Sequence, residues 1–256
     1  MSTTIVDVEA LETKVKEMYR QVAEEPQGGF HFELGRGLAL RLGYDQTRLA
    51  AVPPPAVDSF AGVGFFFDFA DLQLGERLVD LGSGSGMDAF YAAGLVGPSG
   101  QVAGIDFTPE QLAKARRLAD ETGATWVSFH EGRIDGSPLA DASADCVVSN
   151  GVINLSPDKA AVFAEAARLL RPGGRLAIAD IVTEEPLTEA IVCNVDLWAS
   201  CIGGAPQQVD YLQAIRGAGL EIREVRANPY EFLSEQALGA SRQYGVKSIS
   251  VLATKP

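Results

Sequence analysis

The chain has 256 residues, 46% of them hydrophobic, and 34 acidic against 21 basic side chains, for a formal net charge of −13. That length can bury one substantial α/β core with an appendage, and the acidity argues against nucleic acid or an anionic membrane surface as a partner. No apolar run approaches a membrane span, Met1 to Lys16 is too polar for a secretory signal, and three cysteines do not make a disulfide framework, so a cytoplasmic location is expected.

In chain order, residues 7–24 carry Val8, Leu11, Val15, Met18, Tyr19 and Val22 at helical spacing, with Glu and Lys between them, which predicts an amphipathic helix. Pro26, Gly28 and Gly29 end it, Phe30-His31-Phe32 follows, and a second short apolar pattern from Leu34 to Leu42 closes at Gly43. Pro53-Pro54-Pro55 reads as a stiff linker. Phe60, Phe65, Phe66, Phe67 and Phe69 then crowd one short stretch. Residues 1–60 are expected to form an N-terminal helical cap and 61–256 a cofactor-binding domain. On one reading the cap is a lid over the cofactor crevice, with Tyr19 turned inward and Phe60, Phe65 and Phe66 forming an apolar substrate pocket. On the other, the phenylalanines only pack a helix beneath the sheet.

From Arg77 onward strands are predicted at 77–81, 101–105, 126–130, 144–149, 174–181, 220–227 and 247–253, and helices at 87–96, 109–122, 158–170, 188–199 and 208–217. Pro109 and Gly123 mark a helix start and stop, and Pro172-Gly173-Gly174 predicts a break before the fifth strand. Strands alternating with helices on short connections imply an α/β, Rossmann-like, mostly parallel sheet with helices on both faces. In such a sheet the ligand lies beyond the carboxyl ends of the strands, where strand order reverses.

The densest signal is Arg77-Leu78-Val79-Asp80-Leu81-Gly82-Ser83-Gly84-Ser85-Gly86-Met87-Asp88. An apolar run ends in glycines at alternate positions and a helical pattern follows, so strand, glycine turn and helix start are expected. Asp106 ends the next strand, placed to accept hydrogen bonds from both hydroxyls of a ribose. Two nucleoside cofactors fit. A dinucleotide wants its third glycine one residue later, where Met87 stands; a nicotinamide-dependent oxidoreductase is therefore the alternative, with a non-catalytic cofactor-binding regulator as a third reading. The tighter spacing of Gly82, Gly84 and Gly86 after Asp80 resembles motif I of the S-adenosylmethionine-dependent methyltransferases. That resemblance implies a loop cradling the methionine end and ribose, with Asp80 near the ammonium group. Phe107 is placed either to pack on adenine or to fill core. Where many methyltransferases carry an acid after the third strand, this chain has Gly132-Arg133-Ile134, so adenine recognition falls to the backbone near Arg133 and Ile134, or to Asp135.

Ser149-Asn150-Gly151-Val152-Ile153-Asn154-Leu155, Ile105-Asp106-Phe107-Thr108-Pro109-Glu110, Cys201-Ile202-Gly203-Gly204-Ala205 and Tyr244-Gly245-Val246-Lys247-Ser248-Ile249-Ser250 together resemble the arsenite methyltransferase family, from about Leu42 to the end. The resemblance implies a seven-stranded methyltransferase fold with an antiparallel last strand, S-adenosylmethionine as cofactor, Asn150 beside it, and Asn154 and Cys201 toward the acceptor. Family members bind trivalent arsenic through cysteine thiolates. Val63 and Gly151 stand at two of those positions; Cys201 remains, and Cys193 lies eight residues before it. Cys146, within a strand, reads as inert core. The fold and cofactor carry over; for the acceptor, a small organic molecule and an arsenic(III)-like substrate both stay open.

A thiolate or arsenite attacks a sulfonium methyl without a base, whereas a hydroxyl or carbon acid usually needs one. The candidate catalytic groups are His31, in the cap between two phenylalanines, Tyr19 and Asn150; His130 ends the third strand on the adenine side and is a poor base. No metal site is expected. Monomer and homodimer both fit.

Overall fold

The computed structural model describes residues 7–30, 32–194, 198, 202–233 and 235–256. Its seven strands are β1 (Arg77–Leu81), β2 (Gln101–Asp106), β3 (Val127–Glu131), β4 (Ala144–Asn150), β5 (Leu170–Val182), β6 (Glu221–Ala227) and β7 (Lys247–Thr254). They form one sheet in the order β3-β2-β1-β4-β5-β7-β6. β1 to β5 are parallel, and β7 runs antiparallel between β5 and β6. The expected seven-stranded, mostly parallel sheet with its antiparallel last strand is present.

The central strands are apolar on both faces because helices cover both. Val79, Leu81 and Val147 pack with Phe163 and Leu169 on one side; Leu78, Cys146 and Val148 pack with Ala89 and Phe90 on the other. Registers of Asp80 with Gly104 and of Leu81 with Ile105 end β1 and β2 at the same edge. Connections from β1 leave toward β2 on one flank and β4 lies on the other, so the crevice opens above the end of β1.

Eight of the helices are α1 (Val8–Glu24), α2 (Gly35–Leu42), α3 (Gln46–Leu49), α4 (Pro54–Asp58), α5 (Phe67–Ala70), α6 (Met87–Val96), α7 (Pro109–Thr122) and α8 (Lys159–Leu169). α1 starts where it does because the Asp7 carboxylate accepts from the Ala10 amide at 3.1 Å. α7 has Pro109 at its first turn and Gly123 in the left-handed conformation at its end, as its sequence predicts.

Three local readings are corrected. Pro53-Pro54-Pro55 is no linker: Pro54 opens α4, since its fixed φ suits a helix start and its missing N–H is needed by no partner there. Pro172-Gly173-Gly174 does not precede β5 but lies inside it. Ala144 pairs with Leu170 and Cys146 with Arg175, so residues 171–174 bulge out of the ladder. A helix over Glu235–Tyr244 precedes β7 where none was expected. Of the helix predicted at 188–199, Glu189–Val192 is helical, and 195–197, 199 and 200 lie outside the described residues. No described helix is long and apolar enough to cross a membrane.

Candidate active site

The floor of the crevice is the turn after β1. The amides of Gly82 and Ser83 both donate to the Ile105 carbonyl, at 2.8 and 2.9 Å, which tethers the turn to the end of β2. Gly82 has φ +81° and Gly86 φ +92°, a region costly for any residue with a Cβ. Space forbids a side chain as well. A Cβ at Gly82 would lie 2.5 Å from Val152, and one at Gly86 2.6 Å from the Phe129 ring. The Asp106 carboxylate stiffens the turn from the β2 side, accepting from the amides of Gly84 at 2.9 Å and Thr108 at 2.8 Å.

Asp80 sits under this turn, 2% exposed. Its Oδ2 is buried and has no hydrogen-bond partner among the described residues. Burial, with the nearby charges of Asp88 and Asp106, holds its pKa well above the carboxylate range. Asp88, in the first turn of α6, accepts from the Tyr44 hydroxyl and from Asn150 Nδ2 at 3.0 Å; burial pushes its pKa up to about 6, with those hydrogen bonds pulling the other way. A buried carboxylate oxygen without a donor is a standing cost unless a cation meets it.

Two cavities flank the turn, and Gly82 and Val152 line both. The first is walled by Leu11, Asp106, Phe107, Arg133, Ile134 and Leu155. The second is walled by Tyr19, Phe60, Asp80, Gly84, Asp88 and Asn150. α1 forms the outer wall of both. Leu11 and Val15 are buried in a small cluster with Leu155 and Trp198. The Lys16 ammonium lies 5.0 Å from the centre of the Phe107 ring, and Arg133 pairs with Glu12 of α1 and with Asp135.

The structure therefore brings Tyr19, Phe60, Asp80, Gly82, Gly84, Asp106, Phe107, Arg133, Ile134 and Asn150 to the cavity walls. Gly86 stands behind them as the residue that turns the chain into α6. Four expectations fail or fall elsewhere. Phe65 and Phe66 line neither cavity: Phe66 is fully buried, and Phe65 packs edge-on against Tyr44 and Tyr91 in an aromatic cluster that fills core. Asn154 is also fully buried off the cavities, its amide donating to Asp180 at 2.9 Å. Asn150 is committed as a clamp. Its Oδ1 accepts from the amides of Val63 at 2.8 Å and Gly64 at 3.2 Å, and its Nδ2 donates to the Gly64 carbonyl at 3.0 Å as well as to Asp88. That leaves its amide no free role in proton transfer.

His31 and Cys201 lie outside the described residues, and with Cys201 the Cys193–Cys201 pairing. Cys193 is exposed and Cys146 fully buried, its thiol pushed up to about 12 by burial, as befits inert core. His130 shares a hydrogen bond with Ser128 and lines neither cavity. Val63 and Gly151 adjoin: a Cβ on Gly151 would lie 3.2 Å from Val63 Cγ1. Sequence reasoning missed Tyr44, Asp88 and Gln111. Asp88 had a legible signal, an acid two residues past the last glycine; Tyr44 had none.

A methyltransferase domain family model matches residues 72–219, and the chain belongs to that family. Its fold and glycine turn are those of the S-adenosylmethionine-dependent class, for which S-adenosylmethionine is the cofactor. Within the class the chain is arsenite methyltransferase-like. It is 40% identical over 220 residues to the arsenite methyltransferase of Halobacterium salinarum, covering 84% of this chain and 56% of that protein. It superimposes with a TM-score of 0.68, at 32% identity, on the arsenic(III) S-adenosylmethionine methyltransferase of Chlamydomonas reinhardtii, over 82% of this chain and 72% of that one. It is also 36% identical over 155 residues to the nocamycin O-methyltransferase of Saccharothrix syringae, covering 58% of this chain and 55% of that protein. The chain spans about half the length of the curated relatives it matches first. With Met87 at the dinucleotide's glycine position and a methyltransferase family match, the oxidoreductase reading has no support.

Proposed function

We propose that the chain transfers a methyl group from S-adenosylmethionine to a small organic acceptor, in a reducing cytoplasm. The observation that carries the cofactor half is the orphaned, buried Oδ2 of Asp80 beside a glycine cradle that a Cβ would fill. A primary ammonium is the cation that such a site lacks. On this reading Asp80 holds the ammonium, Asp106 the ribose hydroxyls, Phe107 and Ile134 the adenine faces, and the amides near Arg133 its edge. When bound, S-adenosylmethionine supplies an electrophilic methyl group on a positively charged sulfur.

The chain's own work is alignment and exclusion of water. Residues 1–60 serve as the cap. α1 lays Leu11, Val15 and Tyr19 along both cavities, and Phe60 closes the second. Asp80 and Asp88 are the charged side chains on the second cavity, which favours neutral or cationic acceptors over anionic ones. Val63 and Gly151 count against trivalent arsenic. Where the resemblance places two soft thiolates, this chain has an isopropyl group against a bare backbone. The relative acting on nocamycin makes an organic acceptor a reasonable class.

The test is calorimetry with S-adenosylhomocysteine, then labelled S-adenosylmethionine with a panel of small hydroxyl, amine and thiol acceptors and with arsenite. Binding plus transfer to an organic acceptor is expected. No binding sinks the cofactor half, and efficient arsenite methylation sinks the acceptor half. Binding without turnover on any acceptor would instead favour the regulator.

A further inference from the structure

Gln111 lies in the first turn of α7, 2% exposed, and lines the second cavity. It is not part of the glycine turn and carries no charge, yet its amide is spent at both ends. Its Oε1 accepts from the hydroxyl of Ser85, inside the glycine turn. Its Nε2 donates to the backbone carbonyl of Tyr19, on α1, at 2.8 Å. It also covers Gly84: a Cβ built there would stand 3.6 Å from Gln111 Oε1.

α1 is also fastened at points away from the turn. Near one end Glu12 pairs with Arg133. Near the other, Lys114 donates to the Ala23 carbonyl at 3.0 Å and to Ser59 Oγ at 2.8 Å, while Ser59 donates to the Val22 carbonyl at 2.9 Å. Those fasteners hold the cap to the body whatever happens at the cradle. Gln111 instead joins the cap to the loop itself, through one rigid amide.

We infer that Gln111 is a positioning residue that couples the conformation of the glycine turn to closure of the N-terminal cap, so that filling the cradle tightens α1 over the site. The inference rests on the reading of the turn as the cofactor's seat. Its physical basis is the geometry of one amide. The Ser85 hydroxyl reaches Gln111 only when the turn is formed, and an amide oriented by that bond presents Nε2 to the Tyr19 carbonyl. A methionine in its place would fill similar space and bond to neither partner.

Amide hydrogen exchange over residues 8–24, with and without S-adenosylhomocysteine, reads the coupling. In the parent chain, saturating S-adenosylhomocysteine should slow exchange in this segment by roughly tenfold, the scale of one or two hydrogen bonds. Gln111→Met, uncharged and of similar size, loses both the loop bond and the cap bond. Ser85→Ala keeps the cap bond and frees the amide from the turn. Both should still bind S-adenosylhomocysteine by calorimetry while the slowing over 8–24 shrinks to roughly twofold or less. Lys114→Met should raise exchange at the end of α1 in both states and leave the tenfold response intact. If Gln111→Met and Ser85→Ala both respond like the parent, Gln111 is only a packing residue and the inference is overturned. If the parent fails to bind at all, the cofactor reading has failed instead. A variant too unstable to measure is covered by the other, since each breaks the link from Ser85 to Tyr19 at a different residue.

Discussion

The floor of the site is made of backbone, and its roof of side chains. Between Gly82 and Gly86 the groups that matter are amides and the space above them, fixed by three positive-φ glycines and by bonds to Ile105 and Asp106. Over residues 8–70 the same crevice is walled by Leu11, Val15, Tyr19 and Phe60. These are held by contacts that span long stretches of chain, such as Tyr44 with Asp88 and Lys114 with Ala23. A backbone floor has no rotamers to lose, so it is preorganised and intolerant. A side-chain roof can open, and its fasteners are individually weak. Substitutions that strike each part separately test this division.

The largest effect should come from the floor. Gly82→Ala meets two penalties, φ at +81° and a Cβ 2.5 Å from Val152. Together they should cost about 2–4 kcal/mol of stability and weaken S-adenosylhomocysteine binding by roughly a hundredfold or more, since displaced amides no longer line the cradle. Gly84→Ala sharpens the point. It carries φ +52°, but a Cβ there would come no nearer than 3.6 Å to its closest neighbour, Gln111, so thermal unfolding should show a loss of only about 1 kcal/mol. Equal losses at the two glycines would mean that conformation alone, and not the fit against Val152, governs the turn.

Asp80→Asn comes next and separates charge from shape. Losing a charge-assisted bond should weaken S-adenosylhomocysteine by roughly thirtyfold at neutral pH, while the unliganded protein gains about 1 kcal/mol because a buried, unpartnered charge is gone. The pH dependence has a definite sign. Burial first, then Asp88 and Asp106, raise the folded pKa of Asp80, and burial raises that of Asp88 to about 6. A carboxyl whose pKa is higher folded than unfolded binds its proton more tightly in the native state. Its stabilising effect is complete at low pH and falls as pH climbs from the ordinary carboxylate value through the folded one. Binding of an ammonium requires the ionised form, so cofactor affinity must move the opposite way and rise across that window. Calorimetry at stepped pH, starting from the ordinary carboxylate value and going up, should show affinity rising in the parent and a shallower slope in Asp80→Asn, with Asp88 supplying what remains. An affinity independent of pH in the parent would remove Asp80 from the ammonium site.

The same division explains what the sequence made legible. Strand, glycine turn, helix and the acid at 106 were readable because each follows from local rules: apolar runs, positive-φ glycines, Pro109 at a helix start. β1, α6 and α7 fall on their predicted residues. The roof was readable only as a helix with an apolar face. For Phe65 and Phe66 a pocket and core packing both stayed open because a crowd of phenylalanines says that they are buried and cannot say against what; Tyr44, many residues away in sequence, decides it by centring their aromatic cluster. Asn150 lines the second cavity, and its side chain is spent on holding the wall together. Its partners, the amides of Val63 and Gly64, come from a segment more than eighty residues away. Pro54 misled for a different reason, since three prolines suit a linker and a helix start equally until the chain after them is seen to pack.

The smallest effect should come from the exposed end of the roof. Arg133→Met removes the ion pair that ties Glu12 of α1 to the far wall of the first cavity, and its own bonds to Asp135. Both partners are partly solvated, the arginine 48% and Glu12 31% exposed. Such a pair is worth about 0.2–1 kcal/mol, and salt screens it. The backbone near Arg133 stays in place, and the methionine stem still covers the cavity wall. S-adenosylhomocysteine binding should therefore weaken by only about two- to threefold at low ionic strength, a difference that vanishes near 0.5 M salt, roughly. Leu11→Ala, 1% exposed against Leu155 and Trp198, provides the contrast. It should loosen the same helix by about 2–4 kcal/mol at any salt concentration. If the arginine variant proved the more damaging of the two, or its deficit survived high salt, the cap would be held by charge rather than by its apolar seat, and α1 would open in response to ionic strength instead of to what fills the cradle beneath it.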